Sequence, residues 1–118
     1  MAHDIIIRNG TVIDGSGMAR FRADVGVRHG RIAAIGRITE RGRREIDAEG
    51  QVVAPGFIDG HVHFESSHML PHHYCSVVLP QGTTTIFCDP HELANVLGLE
   101  GVRWAVQASR GQIGRAHV

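Results

Sequence analysis

The positions of hydrophobic residues divide the chain into two stretches with different patterns. Over residues 1–55, short β-branched and apolar runs alternate with Gly, Asn and Asp. This alternation is typical of short strands joined by tight turns. Asn9-Gly10 predicts a turn, and His29-Gly30 predicts a hairpin. The strands are expected at residues 4–8, 11–13, 23–28, 31–35, 45–47 and 51–53.

Longer apolar segments follow residue 55. Residues 57–63 and 83–88 predict two buried strands, and each is followed by a helical pattern. The first helix is expected over 71–79, with Pro71 in its first turn. The second is expected over 99–109, with its packed face formed by Leu99, Val102, Val106 and Trp104. Strand, helix, strand, helix is the order of two βα units in a parallel sheet. Residues 89–92 are expected to form a polar loop.

Composition narrows the partners that the chain could have. The chain has 118 residues, 42% of them hydrophobic, with a formal net charge of zero. This is the length of one domain at most, and it predicts no nucleic-acid or membrane partner. No apolar run approaches the ~20 residues of a membrane span. Cys75 and Cys88 are expected to be buried, free thiols.

Histidines are concentrated in one part of the chain. Six of the nine fall between His61 and His91. His61 and His63 are two residues apart on a predicted strand, so their side chains point to the same side. Two imidazoles aimed at one point form half of a metal site. A catalytic ion needs at least one more protein ligand and a position open to water.

Four polar residues near this pair are further candidates for the site. Asp59 shares the face of the two histidines, where it could orient an imidazole or cap a turn. Glu65 could be a further ligand, a substrate contact or a loop carboxylate without a role. His91 and Glu92 follow the second predicted strand and could contact metal or substrate. The remaining histidines of this stretch are expected at the surface: His68, His72 and His73.

These motifs resemble a known family. The run Val-Ala-Pro-Gly-Phe-Ile-Asp-Gly-His-Val-His at 53–63 resembles the amidohydrolase superfamily of metal-dependent hydrolases. Phe-Glu-Ser-Ser at 64–67, Leu-Pro-Gln-Gly-Thr-Thr-Thr at 79–85 and Asp-Pro-His-Glu-Leu-Ala-Asn-Val-Leu-Gly at 89–98 narrow the resemblance to the adenine deaminases. Residues 13–17, Ile-Asp-Gly-Ser-Gly, are also similar to D-aminoacylase-type members.

The resemblance implies an α/β fold, a TIM-type (β/α)8 barrel with a small β-sandwich. Residues 1–55 would supply sandwich strands, and residues 56–110 the first two βα units of the barrel. Because such a barrel needs ~250 residues, we expect this chain to be an N-terminal fragment. Residues 111–118 lack periodicity and read like a translated sequencing adapter, so they are expected to be a non-native tail.

The resemblance also implies a reaction. Adenine and water would give hypoxanthine and ammonia, with a metal-generated hydroxide attacking C6. His61 and His63 would be ligands of a two-metal centre, with Mn²⁺ or Fe²⁺ expected. The acid/base residue would lie in the missing part, so the fragment alone is expected to be inactive. The full-length protein is expected to be a cytoplasmic homo-oligomer that acts in purine catabolism.

Two alternatives stay open from the sequence. The chain could be a fragment of another amidohydrolase, D-aminoacylase-like or dihydroorotase-like. It could also be a small non-catalytic β-rich module whose histidines are incidental.

Overall fold

A computed structural model describes residues 2–110 and 115–117 of the chain. It divides into two compact units, Met1–Pro55 and Gly56–Val118, called here the amino-terminal and carboxy-terminal units. Among the described residues, no helix has the length and apolar character needed to cross a membrane.

The amino-terminal unit is a five-stranded sheet. Its strands are β1 (Ile5–Val12), β2 (Phe21–Arg28), β3 (Arg31–Gly36), β4 (Arg44–Asp47) and β5 (Val52–Val53). The central strand β1 pairs antiparallel with β2 and parallel with β4 and β5, and β2 pairs antiparallel with β3. The predicted hairpin is confirmed, because His29 and Gly30 both have the positive φ (51° and 71°) that a tight β2–β3 turn requires. The buried apolar residues of this unit are Ile6, Val12, Val25, Ile38 and Ala48.

The turn predicted at Asn9-Gly10 is wrong, because β1 continues through both residues. Asn9 has φ 60°, and the pairing with β2 shifts between Ile7 and Gly10, which is the signature of a bulge. The Asn9 backbone N–H donates to Asp24 Oδ1 at 3.0 Å. A side chain at position 10 would begin 2.5 Å from Val53 Cγ2, so only glycine fits there. Asn-Gly therefore marks a bulge held by side-chain hydrogen bonds.

The carboxy-terminal unit alternates parallel strands with helices. Its strands are β6 (Phe57–Val62), β7 (Thr83–Cys88) and β8 (Arg115–His117), and its helices are α1 (Pro71–Val78), α2 (His91–Leu97) and α3 (Leu99–Ser109). Two 3-10 turns lie at Phe64–Ser67 and Leu79–Gln81. The strands pair in parallel in the order β6-β7-β8, so the predicted parallel arrangement is confirmed. Of the expected tail, residues 115–117 form β8, and residues 111–114 and 118 lie outside the described residues.

The expected burial of β6 is wrong in this structure. Phe57 and Ile58 are 66% and 65% exposed. The strand lies at an edge of the described sheet and has a neighbour only in β7, which leaves its apolar side chains uncovered.

The packed face of α3 also differs from the prediction. Gly101 and Ala105 are its buried residues, whereas Leu99 is 72% exposed and Trp104 is 40% exposed. A side chain at position 101 would begin 2.5 Å from the Leu93 carbonyl oxygen of α2. The two helices therefore approach closely at Gly101, which a search for large apolar residues overlooks.

The segment 89–92 is not a loop throughout, because His91 and Glu92 begin α2. Pro90 precedes the helix, and Gly98 ends it at φ 61° while its N–H donates to the Ala94 carbonyl. The core of this unit consists of Phe64, Ile86, Cys88 and Ala105, with Val62, Tyr74 and Leu93 packed against it.

Candidate metal centre

His61 and His63 meet at the end of β6. Their Nε2 atoms are 3.0 Å apart, and their rings lie edge to face with centroids 4.6 Å apart. Strand alternation places the two side chains on the same side, and Val62 between them packs on the core. The two candidate ligands are thus brought together as their spacing indicates, while metal ligation stays a prediction.

The backbone of β7 orients His63. The His63 Nδ1 lies 2.6 Å from the carbonyl oxygen of Asp89, the residue that follows β7. Because a carbonyl can only accept, Nδ1 must carry the proton and donate it. The Nε2 atom then keeps its lone pair, directed at His61. A hydrogen bond of this kind sets which imidazole nitrogen is free to bind a metal.

Asp89 completes a group of three possible ligands. One ligand atom each from His61, His63 and the Asp89 carboxylate lie within 4.8 Å of one another, and no other such group of three or more occurs in the described part of the chain. Asp89 was not among the residues that the sequence motifs predicted for the site. Its position could have predicted a place at the site. Asp89 directly follows β7 as His63 directly follows β6, and parallel strands end at the same edge of a sheet.

His91 and Glu92, from the first turn of α2, lie around this group. The His91 ring is edge to face with His63, with centroids 4.4 Å apart, and its Nδ1 lies 3.4 Å from Asp89 Oδ2. Glu92 Oε1 accepts a hydrogen bond from Ser66 Oγ at 2.5 Å. His91 therefore contacts two of the candidate ligands. Glu92 connects α2 to the 3-10 turn after β6 through its hydrogen bond from Ser66.

Glu65 and Asp59 differ in how their carboxylates are paired. Both Glu65 side-chain oxygens are buried, and no hydrogen-bond partner for them is found within residues 2–110. Asp59 Oδ1 accepts the backbone N–H of His61 at 3.1 Å, which stabilises the strand end next to the imidazole. The roles expected for these two residues at the site stay predictions.

The two thiols of this unit are poor candidates for metal ligands. Burial raises the pKa of Cys88 to about 11 and also raises the pKa of Cys75. Both cysteines are free, with Cys75 half-buried and Cys88 buried. Since the thiolate is the ligand form, protonated thiols leave imidazole and carboxylate as the available donors. This donor set suits Zn²⁺, Mn²⁺, Fe²⁺ or Co²⁺.

Two family models match the chain, one on each unit. The model described as "Amidohydrolase family" matches residues 52–117. The model described as "Urease alpha-subunit, N-terminal domain" matches residues 1–55.

Similar proteins include adenine deaminases and solved amidohydrolase structures. The adenine deaminase of Halalkalibacterium halodurans is 45% identical over 92% of this chain and 19% of its own length. That of Serratia proteamaculans is 50% identical over 92% of this chain and 18% of its own. A D-aminoacylase structure is 45% identical with a TM-score of 0.63, covering 73% of this chain and 18% of that one. A D-hydantoinase structure is 34% identical with a TM-score of 0.67, covering 90% and 24%.

Proposed function

The chain belongs to the amidohydrolase family, and we propose that it is part of an adenine deaminase. The reaction would convert adenine and water to hypoxanthine and ammonia. The observation that carries the proposal is the His61–His63 pair beside Asp89, in a chain that is 45–50% identical to two adenine deaminases.

The geometry of the pair suits a divalent ion. Two imidazole nitrogens bound to one ion at ~2.0–2.1 Å lie about 2.9 Å apart at a right angle and about 3.3 Å apart in a tetrahedron. The Nε2 atoms of His61 and His63 are 3.0 Å apart. We propose Mn²⁺ or Fe²⁺ in a two-metal centre, and a solved D-aminoacylase described as having a binuclear metal centre supports that number. When bound, such ions supply Lewis acidity and lower the pKa of the attacking water.

The other residues of the site would orient ligands and bind the purine. The hydrogen bond to the Asp89 carbonyl holds the His63 ring, so its Nε2 lone pair could bind an ion without rotation of the ring. Within residues 2–110 the buried Glu65 carboxylate has no hydrogen-bond partner, and a buried acceptor gains most from a donor such as a purine N–H. We propose that Glu65 and His91 contact substrate or a second ion, and that Glu92 and Asp59 position the elements that bear them.

The chain spans about a fifth of the length of the curated relatives that it matches. We therefore propose that the remaining metal ligands and the acid/base residue come from sequence beyond these 118 residues, and that this chain alone does not deaminate adenine. In that protein, residues 1–55 would belong to the β-sandwich and 56–110 to the start of the barrel. A cytoplasmic homo-oligomer acting in purine catabolism is part of the same proposal.

A second candidate is a deacylase of N-acyl-D-amino acids. The D-aminoacylase structure that is 45% identical over 73% of this chain favours it. The adenine deaminases match a larger share of the chain at similar identity, which favours the first candidate.

A chimera separates the two candidates. The matching segment of Bacillus subtilis adenine deaminase, 43% identical, is replaced by residues 1–110 of this chain. We expect the chimera to release hypoxanthine from adenine and to lose that activity on chelation of its metal. His61→Ala should lower kcat/KM by about 1000-fold or more, and the control His68→Ala should leave it within about twofold.

A chimera that is folded and loaded with metal, yet hydrolyses N-acyl-D-amino acids and not adenine, would replace the first candidate with the second. Full adenine turnover in the His61→Ala chimera would exclude the proposed metal ligand.

A further inference from the structure

Phe87 is an apolar residue that the core of the carboxy-terminal unit does not bury. It lies in β7 between Ile86 and Cys88, which are core residues at 6% and 9% exposure. Because side chains alternate along a strand, Phe87 points to the opposite face of the sheet. The residue is 47% exposed on that face. Packing of the core therefore does not explain a phenylalanine at this position.

The register of the two strands places Phe87 next to His61. Val62 of β6 pairs with Cys88 of β7, and Val62 packs against the core to which Cys88 belongs. The residues that precede this pair, His61 and Phe87, therefore share the other face of the sheet. Paired strands are about 4.8 Å apart, so the two residues are direct neighbours across the sheet.

Four positions at these strand ends form a small array, with 61 and 63 on one strand and 87 and 89 on the next. Three of them carry possible metal ligands, since one ligand atom each from His61, His63 and Asp89 lie within 4.8 Å of one another. The fourth position carries the phenyl ring of Phe87. His63 and Asp89 directly follow their strands, whereas His61 and Phe87 lie further inside the sheet. Phe87 is thus on the inner side of the group, away from the edge where the strands end.

An apolar side chain beside a metal site limits the access of water to it. A phenyl ring leaves less room for water molecules that compete with imidazole for the coordination positions of an ion. It also lowers the local dielectric constant, which strengthens the attraction between a divalent ion and the Asp89 carboxylate. His61 gains most from such a neighbour. The Asp89 carbonyl orients the His63 ring, and no backbone acceptor for the His61 ring is found within residues 2–110.

We propose that Phe87 is a positioning residue of the candidate metal centre. Its ring closes the inner side of the centre and keeps water from the ion there, while it binds neither ion nor substrate itself. The proposal rests on the metal centre proposed above and extends it to a residue without ligand atoms. It requires that the affinity for metal depends on an apolar side chain of sufficient size at position 87.

Co²⁺ binding by the chimera described above tests the proposal. Phe87→Ala should weaken Co²⁺ binding about tenfold in competition with a chelator. It should also lower the visible absorption of the bound Co²⁺, because additional water ligands raise the coordination number. Phe87→Leu should restore both quantities to within about twofold. The control is Phe57→Ala at a 66% exposed residue about 13 Å before His61 along β6, and it should change the affinity less than twofold.

A second pair of variants keeps the test decisive if Phe87→Ala impairs folding, which far-UV circular dichroism detects. Valine and threonine have nearly the same shape and both favour strands, but only valine is apolar. Phe87→Val should therefore bind Co²⁺ at least threefold more tightly than Phe87→Thr. Equal affinities of these two variants would overturn the proposal, because the polarity of the side chain would then have no effect on the ion.

Two further outcomes would overturn the proposal and differ in what they leave standing. If His61→Ala abolishes Co²⁺ binding but Phe87→Ala changes neither affinity nor absorption, the metal centre stands without a role for Phe87. If Co²⁺ binding does not depend on His61, the proposed centre itself is wrong, and the role of Phe87 is excluded with it.

Discussion

The two units of this chain differ in how their buried or half-buried carboxylates are paired. In the amino-terminal unit, the Arg8 guanidinium pairs with Asp24 at 3.2 Å and with Glu45 at 2.8 Å, and also donates to the Glu40 carbonyl. In the carboxy-terminal unit, two imidazoles face each other, and within the described residues the buried Glu65 carboxylate has no partner. A polar group satisfied within the fold stabilises it, whereas convergent polar groups left unpaired indicate a site that awaits a ligand.

The lowered pKa values of carboxyls in the amino-terminal unit also reflect their hydrogen bonds. Hydrogen bonds lower the pKa of five of them, and these are Asp4, Asp14, Asp24, Glu45 and Asp47. For Asp24 the largest cause is the hydrogen bond from the Asn9 backbone N–H. The same contact holds the β1 bulge, so charge pairing and strand geometry stabilise each other in this unit.

The largest expected effect tests the core of the carboxy-terminal unit. Phe64 is 2% exposed, and Phe64→Ala should lower the free energy of unfolding of the carboxy-terminal unit by about 4 kcal/mol. Urea unfolding followed by the fluorescence of Trp104, the single tryptophan, measures this unit. Phe57→Ala is the control, because Phe57 is 66% exposed and its loss should cost under about 1 kcal/mol. Equal costs for the two phenylalanines would contradict the burial described for β6.

A smaller effect tests the contrast in polar pairing. Glu65→Gln should stabilise the metal-free chain by about 1 kcal/mol, because a buried amide costs less to desolvate than an unpaired carboxylate. Asp24→Asn should destabilise it by about 1 kcal/mol, because the charged acceptor for Arg8 and for two backbone N–H groups is lost. Thermal unfolding of both variants measures the signs. If Glu65→Gln destabilises as Asp24→Asn does, Glu65 is a structural residue and the contrast fails.

The smallest expected effect is the pH dependence of the free energy of unfolding, which has opposite directions in the two units. Hydrogen bonds lower the pKa of Asp24 in the folded chain. Its contribution to the free energy of unfolding is therefore complete above the unfolded pKa of about 3.9, and it is lost as the pH falls through the folded pKa. Burial raises the folded pKa of Cys88 to about 11, so its contribution is complete below the unfolded pKa of about 8.5 and is lost as pH rises between the two values.

We therefore expect the amino-terminal unit to lose stability in acid and the carboxy-terminal unit in alkali. Urea midpoints measured from pH 3 to 10 check this, with Trp104 fluorescence reporting the carboxy-terminal unit. Asp24→Asn should flatten the acid side and Cys88→Ala the alkaline side. An alkaline loss that persists unchanged in Cys88→Ala would have another origin.

Local patterns predicted the elements well where one signal dominated. The β-branched run at Ile5–Ile7, the His29-Gly30 turn and Pro71 at the start of α1 all correspond to observed features. The parallel pairing of β6 and β7 also followed from the alternation of strands and helices. In these places, backbone preference and hydrophobic pattern agree.

The predictions failed where a contact distant in sequence decides the conformation. Asn9-Gly10 forms a bulge because Asp24 and Asp47 bind Asn9, and neither partner is evident from the local pattern. The packed face of α3 is set by the close approach of α2, which needs Gly101. At the candidate site, spacing along one strand paired His61 with His63. Asp89 is 26 residues from His63 in the sequence. It lies beside the two histidines only because β6 and β7 pair in parallel.

The hydrogen bond from His63 to residue 89 has a consequence for how this sequence can change. The acceptor is a peptide carbonyl, which every amino acid brings to that position. Replacement of the Asp89 side chain would therefore delete a candidate ligand while the ring of His63 kept its orientation. Asp89 thus contributes to the centre through its side chain and through its backbone carbonyl. A substitution changes only the side chain, so the orientation of the His63 ring tolerates substitutions at position 89.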